Sequence, residues 1–285
     1  MDTRTLLVDA YTKFHDKAEA RHGAFPGLTS FDILELVSQA KGTFGWMWGV
    51  GSEIQETINT ANAWGTRLHL WGVWNGVMPE LTSDDERWEV ASHFIEPMAF
   101  FCMLQPSSLS ERLVVASETA LHQANLRVFP GELDSLDQDK LKPGAVLRKS
   151  DRRKQLDRLG SRWTSYTAFR DALAAMNGKD YQYETRNFRD LSAHSFAPRL
   201  HMGVIARAIR SMEPWAELVP QSDGTVVRVP HPTKTGVSYA MWDVPALDLQ
   251  AMQTANLAEY RLARSAMDAF IELIGELCDR ISNSP

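Results

Sequence analysis

Apolar residues recur every three or four positions along most of the chain, the spacing of helices that bury one face. The pattern predicts helices over residues 2–21, 30–40 and 52–75. His22-Gly-Ala-Phe-Pro-Gly27 separates the first two, because Gly and Pro stop helices. The stretch Lys41-Gly-Thr-Phe-Gly-Trp-Met-Trp-Gly-Val-Gly51 is too glycine-rich to assign. It is no phosphate loop, since no Gly-Lys-Ser/Thr closes it and no strand precedes it. Ser83-Asp-Asp-Glu86 and Ser108-Leu-Ser-Glu111 have the form of capping boxes and predict two helices, one to about Leu104 and one to about Val128, with Pro106 and Pro130 as punctuation. Residues 130–143 are acidic and turn-rich, as a linker or long surface loop is.

Beyond it, helices are predicted over 151–176, stopped by Asn177-Gly178, then over 181–194 and 200–212. Residues 222–243 have β character: Thr225-Val-Val-Arg-Val229 and Gly236-Val-Ser-Tyr-Ala-Met-Trp242 flank a proline-bearing loop, as in a hairpin. A last helix covers 246–281. Its stripe of Ala255, Ala258, Leu262, Ala266, Ala269, Leu273 and Leu277 lets a partner helix approach closely. The expected architecture is mainly α: a Trp-rich helical part over 1–80, and a helical bundle with a small β-hairpin insertion over 81–285.

Composition sharpens this picture in three places. An apolar fraction of 44% in 285 residues is enough for a folded core. Six of the nine tryptophans lie between Trp46 and Trp88, which predicts an aromatic core in the N-terminal part. The net charge of −6 excludes a protein that coats nucleic acid non-specifically, yet leaves room for a local basic site. Such a site is predicted at 148–162, where Arg148, Lys149, Arg152, Arg153, Lys154, Arg158 and Arg162 face only Asp151 and Asp157, with Trp163 and Tyr166 alongside. Cations beside stacking rings suit single-stranded RNA, although a solvated helix face has the same composition.

Cys102 and Cys278 form neither a disulfide framework nor a metal spacing, and read as buried or half-buried thiols in a reducing compartment. The eight histidines are scattered, so no metal and no cofactor are expected. Without a signal-like start or a run of about 20 apolar residues, the expectation is a cytoplasmic protein that does not enter a membrane.

One short motif points to chemistry: Arg189-Asp190-Leu191-Ser192-Ala193-His194. It resembles the Arg-X4-His motif of HEPN (higher eukaryote and prokaryote nucleotide-binding) domains, including the polar residue after the arginine. The helical pattern around it also resembles that family. The resemblance implies a metal-independent endoribonuclease of a toxin or defence setting. It also implies a homodimer with a composite site, products ending in a 2′,3′-cyclic phosphate, and an antitoxin or other regulatory partner. On elementary chemistry, His194 suits proton transfer near neutral pH, and Arg189 suits a fork-like grip on phosphate oxygens. Asp190, four residues before His194, is expected to orient its ring. Arg148, Arg152, Arg153, Lys154, Arg158, Arg186 and Arg199 are the candidate RNA-binding residues.

Some HEPN toxins carry a modifiable Tyr two residues after the His. Phe196 stands there and has no hydroxyl. Five residues span about 140° of helix, so Arg189 and His194 meet only at a frayed helix end or across two subunits. The competing interpretation is a non-catalytic dimerisation or nucleotide-binding scaffold, in which Arg186, Asp190 and His194 form a surface charge ladder.

Overall fold

The longest apolar stripes become the longest helices. The computed structural model describes residues 2–20, 28–133 and 147–284; the predicted break at 22–27 and most of the predicted linker at 130–143 lie outside them. The elements are α1 (Thr3–Ala20), α2 (Ile33–Gln39), α3 (Gly51–Asn75), α4 (Asp84–Val90), α5 (Glu96–Val128), α6 (Lys149–Gly160), α7 (Tyr166–Ala175), α8 (Lys179–Glu184), α9 (Phe188–His194), β1 (Val204–Pro220), β2 (Val226–Pro245) and α10 (Leu249–Ser282). The fold is mainly helical, with one antiparallel two-stranded sheet. No helix among the described residues is long and apolar enough to cross a membrane.

In α3, Ile54, Ile58, Ala61, Trp64, Leu68 and Trp71 are buried at helical spacing, as are Tyr260, Ala263, Met267, Phe270, Ile274 and Leu277 in α10. These stripes hold α3, α5 and α10 together, while α6 and α9 pack on α5 and α7 packs on α10. Each large apolar side chain buried this way contributes about 1.5–3 kcal/mol. Trp64 meets Tyr260 edge-on at 5.2 Å, joining α3 to α10. Phe14, Trp74 and Phe94 stack in series at 4.5 Å, tying α1 and α3 to the turn after α4.

Packing overrides several local signals. Ser83 does cap α4, its hydroxyl accepting from the Glu86 amide at 3.2 Å. The predicted start at Ser108 does not form, and α5 runs through Pro106 without interruption. Met103, Pro106, Leu109 and Leu113 keep one buried face across that point, which outweighs the roughly 1 kcal/mol of a cap. The Gln105 side-chain amide donates to the Phe101 carbonyl at 3.2 Å in the turn before the proline. Upstream, the π turn Ala91–Ile95 widens the helix just before Pro97. A second π turn, Trp46–Val50, makes the glycine-rich stretch helical and leads it into α3.

The helix predicted over 151–176 breaks between Gly160 and Tyr166. A Cβ on Gly160 would lie 2.2 Å from the Tyr166 ring, so the chain passes there only as glycine. The break is anchored on both sides. Trp163 Nε1 donates to Asn125 Oδ1 at 2.7 Å, and the Glu276 carboxylate accepts from the Thr164 and Ser165 amides at 3.0 and 2.8 Å. The helix predicted over 181–194 breaks at Arg186 and Asn187, both left-handed at φ 51° and 54°.

The hairpin is longer than predicted and lies in a different register. Residues 204–212, expected as helix, form part of β1, and the supposed loop at 230–236 lies within β2. The turn is 221–225, where Gly224 takes φ +84° and the Gln221 amide donates to the Thr225 carbonyl at 2.7 Å. Asp223-Gly224 supplies the left-handed position such a turn needs. The alanines and arginines of 206–210 favour helix, but Val204, Ile205 and Ile209 pair with β2, and Pro214 and Pro220 bar a continuing helix. The chain divides into two compact units, Pro198–Leu247 and the helical remainder, so residues 1–80 belong to one unit with the later helices.

Candidate functional site

The motif residues lie on α9, a helix fixed to α5 by its first residue. Phe188 is buried and meets Phe100 edge-on at 5.4 Å. Arg189, next along, reaches the α5 carboxylate of Glu111 at 3.6 Å and that of Asp190 at 2.8 Å. Asp190 therefore pairs with Arg189 in this structure, and no hydrogen bond joins it to His194 among the described residues. With 42% of the Arg189 side chain and 66% of Asp190 exposed, that pair is worth under about 1 kcal/mol, and a phosphate can displace it.

His194 is the last residue of α9. The backbone leaves the helix at Ser195, and the imidazole is exposed. Arg189 lines a surface concavity of about 460 Å³ with Phe100, Ser108, Glu111 and Ser192, and His194 is not among its walls. Within one chain, the two motif side chains do not share this concavity.

The basic run divides by helix face. Gln155, Leu156 and Leu159 turn α6 onto α5, and Arg152 on the same side pairs with the buried Glu118 at 2.7 Å. Gln155 donates to the other Glu118 oxygen. Arg158 and Arg162 reach Glu132 at 3.6 and 2.8 Å. Arg152 is committed to the fold by the buried Glu118, whereas Arg158 and Arg162 stay more than 40% exposed in their pairs with Glu132.

Arg153 and Lys154 face outward, as does Arg148 just before α6. Arg186 is exposed in the α8–α9 break, and Arg199 is exposed in the hairpin unit.

Two of the outward cations meet a third that the sequence did not single out. Arg148, Arg153 and Lys179 line a cavity of about 890 Å³ together with Ser107, Ser110, Asn177 and Gln182. Among the described residues no carboxylate is among its walls. None of the three cationic side chains has an ion-pair or hydrogen-bond partner among the described residues. The pocket is assembled from α5, the start of α6 and the α7–α8 junction. At that junction Asn177 is left-handed, and its amide donates to the Glu259 carboxylate. Segments so far apart in sequence carry no common spacing, which is why Lys179, Asn177 and Gln182 escape a reading of motifs.

The cationic pocket continues toward the motif. Asn177 and Gln182 are shared with a narrow cleft whose other walls include Tyr181, Thr185, Arg189 and Asp190. Gln182 is held for this by its side-chain amide, which donates to the Asn177 carbonyl at 2.8 Å. Arg189 in turn belongs to the next concavity along α5. The result is a line of adjoining concavities, with the three cations at one end and Arg189 further along, joined by a cleft of only about 30 Å³.

The thiols have no evident part in chemistry here. Burial pushes Cys278 up to about 12 and Cys102 higher still, so both stay protonated at neutral pH. Among the described residues no group of three or more His, Cys, Asp or Glu side chains is placed to hold a metal ion. No family model, curated protein or solved structure matches the chain.

Proposed function

We propose that this protein binds single-stranded RNA in the groove from the Arg148–Arg153–Lys179 pocket to Arg189, and cleaves it as a metal-independent endoribonuclease of HEPN type. The observation that carries the proposal is the pocket of three cations that, among the described residues, has no carboxylate wall and no ion-pair partner, and that shares Asn177 and Gln182 with the narrow cleft at the motif arginine. A cavity of about 890 Å³ is in the range that admits a nucleotide-sized ligand. The hydroxyls and amides beside the cations suit sugar and phosphate oxygens.

In this scheme Arg189 exchanges its exposed carboxylate partners for the scissile phosphate and stabilises the charge that builds on it. His194 takes the proton of the 2′-hydroxyl as the 2′-oxygen attacks phosphorus. The bond to the 5′-oxygen breaks, that oxygen takes a proton from solvent water, and His194 returns its own proton to solvent. The products are a 2′,3′-cyclic phosphate and a 5′-hydroxyl end. Because His194 does not line the concavity of its own Arg189, a second copy supplies it, in a homodimer with composite sites. A toxin or defence setting, with a regulatory partner, follows from the family resemblance alone.

Purified protein incubated with mixed cellular RNA in EDTA tests this. Discrete fragments bearing cyclic phosphates support the assignment. Intact RNA under a correctly folded dimer shifts the weight to a scaffold that binds nucleotides without cleaving them.

A further inference from the structure

The hairpin unit leaves a large apolar surface uncovered. No residue from Val204 to Pro245 is buried. Two-stranded ribbons are at best marginally stable in water without something packed on a face, and contiguous apolar patches on a surface mark contact sites. Alternation sends one set of side chains to each face. On one face, β1 presents Val204, Ala206, Ala208 and Met212, and β2 presents Val237, Tyr239 and Met241. Met212, Tyr239 and Met241 are each more than 60% exposed.

This face carries one cation and one anion, Arg210 and Asp243, and neither has a partner among the described residues. Their placement is symmetric. Arg210 pairs across the ribbon with Tyr239, and Asp243 with Ala206, so the two charges lie two rungs on either side of the Ala208–Met241 rung and on opposite strands.

We infer that this face docks against the same face of a second copy of this chain, antiparallel, about a two-fold axis at the Ala208–Met241 rung. In that arrangement each Arg210 lies over the other copy's Ala206, beside its Asp243. Two ion pairs therefore form at once, and the small Ala206 and Ala208 leave room for the arginine stems. An isologous contact needs this kind of self-complementarity, and a face with a lone cation and a lone anion off-centre meets it only in reversed register. Charges set in an apolar face fix register more than they add affinity.

About this axis the nine rungs from Val204 to Met212 overlap; at about 3.4 Å each and about 10 Å wide they bury on the order of 300 Å² per copy, a small contact of the weak, transient kind. A contact of this size is weak and concentration-dependent, so it is sought at micromolar and higher protein concentrations. This contact does not depend on the RNA-cleaving assignment.

Sedimentation equilibrium of the full chain over about 1–200 µM tests it, with Arg210→Asp, Asp243→Arg and the double reversal. The wild type dimerises within that range. Each single reversal sets like charges together and weakens dimerisation by about tenfold or more, and the double reversal returns it to within about threefold. A wild type that stays monomeric overturns the inference. So does a dimer indifferent to the single reversals, or a double reversal as weak as either single. Should a reversal disturb the strands, as far-UV circular dichroism would reveal, Met241→Gln replaces it. That uncharged change at the axis weakens the dimer if the interface is here and leaves it unchanged if it is not.

Discussion

His194→Ala lowers RNA cleavage by about 10²–10⁴-fold, the span that a positioned general acid or base contributes, while RNA affinity stays within about twofold. The imidazole is exposed at the end of α9 and does not line the groove, so its loss disturbs neither packing nor the cationic pocket. Arg189→Ala lowers cleavage as steeply but also weakens binding, because the guanidinium lines both concavities on the path proposed for the strand. The two inactive variants then test the composite site against each other. Mixed one to one, half of the dimers contain one copy of each. Each such dimer holds one intact site of two, so activity returns to about a quarter of the wild-type level in a symmetric dimer. Activity that stays at baseline after exchange places both residues in one subunit's site.

Trp64→Ala costs about 3–5 kcal/mol of folding stability, the range for emptying an aromatic from a core. Trp64 is fully buried on α3 and meets Tyr260 of α10 edge-on at 5.2 Å, so the cavity opens between two of the three helices at the centre of the bundle. The packed helices cannot collapse around it without shifting both. Urea denaturation followed by circular dichroism measures the loss as a lower midpoint at unchanged slope. A midpoint shift worth less than about 1 kcal/mol would mean that α3 and α10 are not packed as described. Because α10 returns to cover α3 from the far end of the chain, this variant also separates a folding defect from the site effects of His194→Ala.

The extent to which this fold was legible in the sequence follows from which forces were local. The stripes of α3 and α10 are local, and their helices were predicted to within a few residues. The Ser83 cap was equally plain. The start predicted at Ser108 failed because a continuous buried face carries α5 through Pro106. The helix predicted over 151–176 failed because Glu276 and Asn125, distant in sequence, hold the break after Gly160. The hairpin register was misjudged for a different reason. Alanine and arginine between Val204 and Arg210 favour helix locally, and only the partner strand decides for β structure, while Asp223-Gly224 marks the true turn in the sequence itself.

At the site, the motif residues were visible and the pocket was not. Arg148 and Arg153 were picked out by charge alone, together with Arg152 and Arg158, which the structure pairs with Glu118 and Glu132. Which face of α6 meets α5 separates the two groups, and that depends on Leu156 and Leu159 finding their places. Lys179 joins them only through the chain reversal at Asn177.

The most direct test of the groove is binding of a fluorescent single-stranded RNA, measured by anisotropy across salt concentrations. It is carried out in the His194→Ala background so that the strand stays intact, with and without Arg153→Glu and Lys179→Glu together. Losing two phosphate contacts flattens the logarithmic salt dependence by about 1.4. Affinity at low salt falls by about tenfold or more, with the fold unchanged because both side chains are exposed and have no ion-pair partner among the described residues. An affinity and a salt slope that match the parent would contradict the account, and would place any RNA contact on another face of the bundle.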